Sequence, residues 1–352
     1  MSRVSRRPTG MIRTAVIGFG TAGRVFHAPF IHASSAFSLG GVVTGDPERT
    51  SAVRALYPQA KVFTSAEELF DNSGALDLVV IGSPPKTHVA LTREAIGRGL
   101  AVVVDKPFCV TASEGRQVVA DAEAAGVPLT VFQNRRWDGD FLTLRSLLSS
   151  GRLGAVRRFE SRFEWWKPAE AKAWKRETPP SQGGGLLFDL GTHLIDQALQ
   201  LFGPVRDSYA ELRAHRRAGV DDDSFVSLLH ESGVRTQLWM NALAAQVGPR
   251  FHLLGSSSAY TKWGLDTQEG ALQSGADPAE PGFGMEPESS WGLLGVDGDL
   301  KPVPAERGRY DAFYERLADA LLDGGPVPVD PRDAVAVTEL IEDLHARFEV
   351  VG

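Results

Sequence analysis

The segment Gly183-Gly184-Gly185-Leu186-Leu187-Phe188-Asp189-Leu190-Gly191-Thr192-His193-Leu194-Ile195-Asp196 sets a carboxylate, an imidazole and a second carboxylate four and then three residues apart. At helical pitch this spacing puts Asp189, His193 and Asp196 on one face. A carboxylate one turn from an imidazole orients the ring and stabilises its protonated form, which prepares a general base for work near neutral pH. A solvated helix face is the competing reading, and the apolar, glycine-rich surroundings weigh against it. Lys106 is the other candidate, in Val104-Asp105-Lys106-Pro107 at the end of an apolar run. A lysine there can hydrogen-bond a hydroxyl, or lose its charge on desolvation and join a proton relay. A surface lysine in a Lys-Pro turn is the alternative.

The elements that must position these groups begin at Val16-Ile17-Gly18-Phe19-Gly20-Thr21-Ala22-Gly23. In a Gly-x-Gly-x-x-Gly spacing the first glycine allows a tight turn, the second lets backbone approach a pyrophosphate and the third permits close helix–strand packing. Thr14–Gly18 reads as a buried parallel strand and Val25–His32 as the helix after it. Phosphates would then meet a helix N-terminus, where free N–H groups and the helix dipole favour an anion. A purely structural glycine turn is the alternative.

Apolar runs at Leu39–Thr44, Val79–Gly82, Ala101–Val104 and Val127–Phe132 alternate with amphipathic stretches of helix length, a βαβ rhythm. Ser65 and Thr111 stand as N-caps ahead of acidic first turns. A parallel α/β dinucleotide-binding domain is therefore expected over residues 11–134. Ligands of such sheets bind outside the carboxyl ends of the strands, which aims Lys106 at the reactive end of a cofactor. Beyond 134, alternating runs at Arg157–Trp165, Ser224–His230, Val234–Leu243 and Phe251–Leu254 predict antiparallel strands, with helices at Leu186–Leu201, Tyr310–Leu322 and Asp333–Glu349. Residues 135–352 form the expected second, α+β domain. Gly270–Gly298, rich in Gly, Pro, Ser and acids, reads as a long loop. Residues 1–10 read as a disordered extension, with Met11 an alternative start.

Composition excludes several classes. With 352 residues and 43% hydrophobic content the chain can bury more than one core, and a net charge of −7 offers no basic field for nucleic acid or an anionic membrane. No apolar run approaches the roughly 20 residues that span a bilayer. The single cysteine, Cys109, excludes an internal disulfide and suits the cytoplasm; flanked by Phe108 and Val110 it reads as a packed thiol. No metal site is expected: the eight histidines are dispersed, and Asp221-Asp222-Asp223 reads as a hydrated turn before a strand, with a divalent-cation site the lesser alternative. Trp165, Trp166 and Trp174 read as core or interface, with a pocket lining the alternative.

Taken together, the Gly18–Gly23 turn, Asp105-Lys106-Pro107 and Gly184–Asp196 resemble the three signatures of the Gfo/Idh/MocA oxidoreductase family. Gly23-Arg-Val-Phe-His-Ala-Pro29, the stretch Phe132–Thr143 and Trp263–Glu269 are similar to the bacterial branch holding NADP-dependent scyllo-inositol dehydrogenases. The resemblance implies an N-terminal Rossmann domain and a second domain on a large, open, mainly antiparallel sheet whose exposed face pairs in a homodimer or higher homo-oligomer. It implies hydride transfer between a nicotinamide and a secondary alcohol or ketone of a polyol, cyclitol or sugar. His193 then takes the hydroxyl proton, while Lys106 and Asp189 position substrate and relay protons. Arg136 joins these three as a substrate-binding candidate, a charge pair with Arg135 at a domain hinge being the alternative. The expected cofactor set is Gly18, Phe19, Gly20, Thr21, Ala22 and Gly23, then Thr44, Asp46 and Arg49, then Ser83, Pro84 and His88, with Lys106 and Asn134.

Two departures from the family pattern matter. Asp105 stands where the family usually has glutamate. NADP-dependent relatives often carry a small hydroxyl residue followed by arginine after the second strand; here Thr44 lacks the acid that binds a ribose 2′-OH and Gly45 lacks the arginine for a 2′-phosphate, Asp46 or Arg49 can tip the choice either way, and NADP is favoured on branch resemblance with NAD close behind. Two rivals are a redox-neutral, NAD-dependent glycosidase of the same fold and a cofactor-binding sensor without catalysis. Retention of both Lys106 and His193 counts against the sensor.

Overall fold

Strands buried on both faces need mostly apolar side chains, and the first 134 residues supply five such runs. In the computed structural model, which describes residues 8, 10–168, 178–216 and 219–352, they become β1 (Ile12–Ile17), β2 (Phe37–Val43), β4 (Leu78–Ile81), β5 (Ala101–Asp105) and β6 (Leu129–Phe132), joined by a short β3 (Lys61–Phe63). Trp174 and most of the expected N-terminal extension lie outside the described residues. Helices α1 (Ala28–Ala33), α2 (Pro47–Leu56), α3 (Ala66–Asp71), α4 (His88–Gly97) and α5 (Ala112–Ala125) form the crossovers. The sheet is parallel throughout, in the order β3-β2-β1-β4-β5-β6. This is the doubly wound Rossmann arrangement, and its order reverses between β1 and β4. Ser65 and Thr111 cap α3 and α5, each accepting the amide of the residue three positions on.

The expected helix at Val25–His32 is instead two pieces. Ala22–His27 winds as a π-helical turn before α1 begins. Pro29 has no N–H to give Val25, so the helical ladder shifts register there.

The rest of the chain runs α6 (Gly139–Ser149), β7 (Val156–Glu164), a π-helical turn at Leu187–Gly191, α7 (Thr192–Phe202), β8 (Val205–Arg213), β9 (Asp223–His230), β10 (Arg235–Asn241), β11 (Phe251–Gly255) and β12 (Ala259–Lys262). Then come α8 (Gln268–Gln273), β13 (Gly292–Val296), β14 (Asp299–Val303), α9 (Tyr310–Asp323), α10 (Pro331–Arg347) and β15 (Val350–Val351). Gly270–Gly298 is thus not a bare loop, since it begins in α8 and ends in β13. The described strands form one nine-stranded sheet, β14-β13-β12-β11-β7-β10-β9-β8-β15, antiparallel except at β7/β10 and β8/β15.

Alternation in this sheet separates its faces. Phe159 and Phe163 of β7, Val226 and Leu228 of β9, Leu238 and Met240 of β10 and Phe251 and Leu253 of β11 are buried against Phe141 and Leu144 of α6, Leu194 and Ile195 of α7 and Ile341 and Leu344 of α10. The opposite face carries Arg158, Glu160 and Arg162, with Trp239, Phe225 and Tyr209, all partly or fully exposed.

The chain divides into two compact units. The first is residues 1–134 with Gln268–Phe283 and Tyr310–Val335; the second is Arg135–Thr267, Gly284–Arg309 and Ala336–Gly352. The sequence reading assigned everything after 134 to the second domain. Two later segments join the first unit because α9 is apolar on the side that seals it: Phe313 meets Phe132 edge-on at 4.8 Å, and Tyr314 stacks on Phe30 and hydrogen-bonds His27.

Candidate active site

In the first unit the predicted cofactor residues gather at the carboxyl ends of β1, β2, β4, β5 and β6. Gly18 has φ +95°, and a Cβ there would stand 2.8 Å from the Gly82 carbonyl at the end of β4. At Gly23 a Cβ would run into the Gly18 carbonyl oxygen, so β1 and the following turn approach as closely as glycine allows. Gly20 has open space before it: the nearest atom to a Cβ at that position is Arg49 Nη1, at 3.9 Å. Phe19 is buried, and Thr21 and Ala22 lead into the π turn.

After β2, the Thr44 hydroxyl accepts the Asp46 amide at 3.3 Å, and Asp46 caps α2 by accepting the Arg49 amide at 3.0 Å. The Asp46 carboxylate is therefore committed to the helix, while the half-exposed Arg49 guanidinium lies 3.8 Å from it. After β4, Ser83 shares a 2.6 Å hydroxyl contact with Thr87, whose own hydroxyl reaches the Pro84 carbonyl. His88 is buried and wholly engaged: its ring nitrogens lie 2.8 Å from the carbonyl oxygens of Pro107 and Ser83. It ties the loops after β4 and β5 together. Burial pushes its pKa down against the pull of the two carbonyls. Lys106 follows β5, its amide donating to Asp105 Oδ1 at 2.9 Å ahead of a cis bond to Pro107. Asn134 is buried after β6.

A buried pair behind the glycine turn escaped the sequence reading. His27 Nδ1 and the Tyr314 hydroxyl are 2.6 Å apart, and the His27 ring leans on Phe132 at 4.3 Å. Burial pushes His27 down to about 3, so it is neutral. Their separation of 287 residues leaves no local signal.

In the second unit Asp189 and His193 do fall one turn apart, Asp189 half-buried in the π turn and His193 buried at the start of α7. Leu187–Gly191 is wider than the α-helix expected. Asp196 is not left to the imidazole: its carboxylate takes the Arg136 guanidinium at both oxygens, at 2.8 and 2.5 Å. Arg136, read from sequence as a substrate ligand, braces α7 through this pair. The acidic triplet also departs from a hydrated turn, because Asp221 and Asp222 are buried. Asp221 Oδ2 accepts the Leu187 amide at 2.8 Å and the Ser224 hydroxyl at 2.6 Å, anchoring the start of the helix that carries Asp189 and His193. Asp222 accepts the amides of His215 and Arg216 and the Arg216 guanidinium. Among the described residues no group of three or more His, Cys, Asp or Glu is placed to hold a metal ion, and no helix is long and apolar enough to cross a membrane.

A doubly wound parallel sheet with a glycine turn open to a pyrophosphate at its switch point, joined to a unit whose helix carries a half-buried aspartate one turn before a buried histidine, defines an NAD(P)-binding oxidoreductase. Residues 12–133 match the family described as an oxidoreductase family with an NAD-binding Rossmann fold, and residues 141–261 match the GFO/IDH/MocA C-terminal domain. The chain belongs to the Gfo/Idh/MocA oxidoreductase family. It is 38% identical over 341 residues to the uncharacterized oxidoreductase YdgJ of Escherichia coli K12, covering 94% of each chain. It is 31% identical to the scyllo-inositol 2-dehydrogenase (NADP(+)) IolW of Bacillus subtilis 168, covering 96% of this chain and 94% of that one. Among solved structures, yvaA of Bacillus subtilis superposes with a TM-score of 0.90 at 30% identity, covering 97% of both chains. YPO2259 of Yersinia pestis superposes at 0.88 with 37% identity, covering 98% of both.

Proposed function

We propose that this enzyme moves a hydride between the nicotinamide of NADP and a secondary alcohol or ketone of a cyclitol or sugar. The observation that carries the reading is His193, buried one turn after Asp189 on a helix whose start is anchored by Asp221. Likeness to IolW, named for NADP and scyllo-inositol, supports the substrate class. Gly18, Gly20 and Gly23 leave room for a pyrophosphate, and Ser83, Pro84, Asn134 and Lys106 border the same strand ends. Bound there, the nicotinamide supplies the hydride acceptor or donor. His193 accepts the hydroxyl proton, Asp189 orients the substrate, and Lys106 hydrogen-bonds the reacting oxygen and relays the proton. The lean to NADP rests on Arg49, a cation beside the opening at Gly20, and on Asp46, whose carboxylate caps α2 rather than awaiting a ribose hydroxyl. His88 serves as the tie between loops. The protein acts as a homodimer in the cytoplasm.

The test is a nicotinamide absorbance assay crossing NAD and NADP with inositol isomers, aldoses and their keto forms. Turnover is expected with NADP preferred, falling about 10²- to 10⁴-fold in Lys106→Ala and in His193→Gln. Tight cofactor binding without turnover on any member of the panel would overturn the reading.

A further inference from the structure

Arg250 immediately precedes β11, is buried in the second unit, and ties three elements together. Its Nη1 donates to the Ser161 hydroxyl of β7 at 2.6 Å, its Nη2 donates to Gln197 Oε1 of α7 at 2.9 Å, and its Nε lies 3.4 Å from the Asp140 carboxylate of α6. Gln197 passes the tie onward, its Nε2 donating to the Arg135 carbonyl at 2.9 Å. The guanidinium also lies over two rings, 4.2 Å from the centre of Phe163 and 4.0 Å from that of Phe251. Phe163 in turn meets the His193 imidazole edge-on, centroids 6.1 Å apart.

Two consequences follow for His193. Gln197 stands one turn beyond it on α7, and an amide whose oxygen only accepts and whose NH2 only donates is stiff when held at both ends. The helix therefore keeps one rotation and one height. The second consequence is electrostatic: a fixed cation across one aromatic ring raises the cost of placing another positive charge on the imidazole. The other charged groups of the second unit around this helix are largely matched. Arg136 holds Asp196; Arg135, a second cation 5.4 Å from the centre of the same Phe163 ring, lies 3.5 Å from Asp138; Asp221 anchors the helix start; Asp189 lies on the helix itself and Asp140 faces Arg250. Removing Arg250 would also leave Asp140 uncompensated, which pushes the imidazole in the same direction.

We propose that Arg250 is a positioning residue for His193, holding α7 through Gln197 and keeping the imidazole in its uncharged, proton-accepting form. The proposal rests on the reading of His193 as proton acceptor. Its test has two arms on the full-length protein. In the first, the His193 imidazole is titrated by NMR, its signal assigned by loss in His193→Gln, so no turnover is needed. Arg250→Met removes the charge. Arg250→Gln also removes the charge but keeps a side chain that can donate to Ser161 and Gln197, which serves if the first variant does not fold. Each is expected to raise the His193 midpoint by about one pH unit, while Arg250→Lys leaves it nearly unchanged. In the second arm the acid limb of kcat/KM moves with that midpoint. Arg250→Lys, lacking the fork, lowers kcat about tenfold with little change in KM. A His193 midpoint unmoved in folded Arg250→Met or Arg250→Gln overturns the proposal. Wild-type protein inert on every substrate overturns the function proposed above and leaves the titration to judge Arg250.

Discussion

His27 makes stability depend on pH. Its pKa is about 3 in the folded chain against 6.5 unperturbed, because burial disfavours the imidazolium. Below pH 6.5 the unfolded chain takes up a proton that the folded chain refuses, so stability falls with pH from 6.5 toward 3, by up to about 1.4 kcal/mol per pH unit. Burial lowers His88 in the same sense. Urea unfolding at pH 6.5 and pH 5 should show His27→Phe losing about 1–2 kcal/mol less than wild type over that interval; equal losses would mean the imidazole is charged inside the fold. At this scale the sequence was legible wherever chemistry is local. Lys106, Asp189 and His193 stood out by spacing and by family signature, and so did the glycines. The partner of Arg136 and the roles of His27 and Arg250 did not, because the groups they meet are 60, 287 and 53 residues away. Residue types advertise what a group can do, and only the fold says to whom it does it.

Two of the helical elements that carry candidate groups open with a π-helical turn, at Ala22–His27 and Leu187–Gly191. Such turns leave main-chain groups out of the α ladder, so something else must hold them. At the second turn that something is Asp221. Asp221→Ala strands the Leu187 amide and the Ser224 hydroxyl in a buried place and should cost about 2–4 kcal/mol; Asp221→Asn keeps an acceptor and should recover more than half. Thermal melts decide this, and an alanine variant as stable as the asparagine one would remove Asp221 from the role. Strands were legible where both faces are apolar, as in β4 and β5, or where alternation is strict, as in β9. They were illegible at β8, whose exposed positions are mostly charged, at the three-residue β3, and at β13 and β14, which lie among Gly, Pro and Asp. A strand of that composition forms because a neighbouring edge offers hydrogen bonds, and that neighbour is not written in it.

For the molecule as a whole, the proposed homodimer is expected to pair through the partly exposed face of the nine-stranded sheet. Arg158, Glu160 and Arg162 alternate in sign along β7, and the Arg162 guanidinium lies 3.9 Å over Trp239, itself against Phe225. A two-fold pairing of this face would bury the aromatic pair. Light scattering should find a dimer, and Trp239→Glu should shift it toward monomer without unfolding; a wild-type monomer would sink the pairing. The class of fold was legible from the alternation of strand and helix, but the ownership of the later segments was not, because an amphipathic helix such as α9 does not announce which sheet it will cover. That ownership has a temporal side. The chain passes between the units after Asn134, Thr267, Phe283, Arg309 and Val335, so the first unit lacks Tyr310, Phe313 and Tyr314 until nearly all of the protein has been made. At about 5–20 residues per second, His27, Phe30 and Phe132 wait on the order of 10–60 s for those rings. During synthesis the nucleotide-binding half, though first to emerge, is among the last to finish, and a nascent chain cut short after Asn134 leaves the ribosome with an open apolar flank for chaperones to hold.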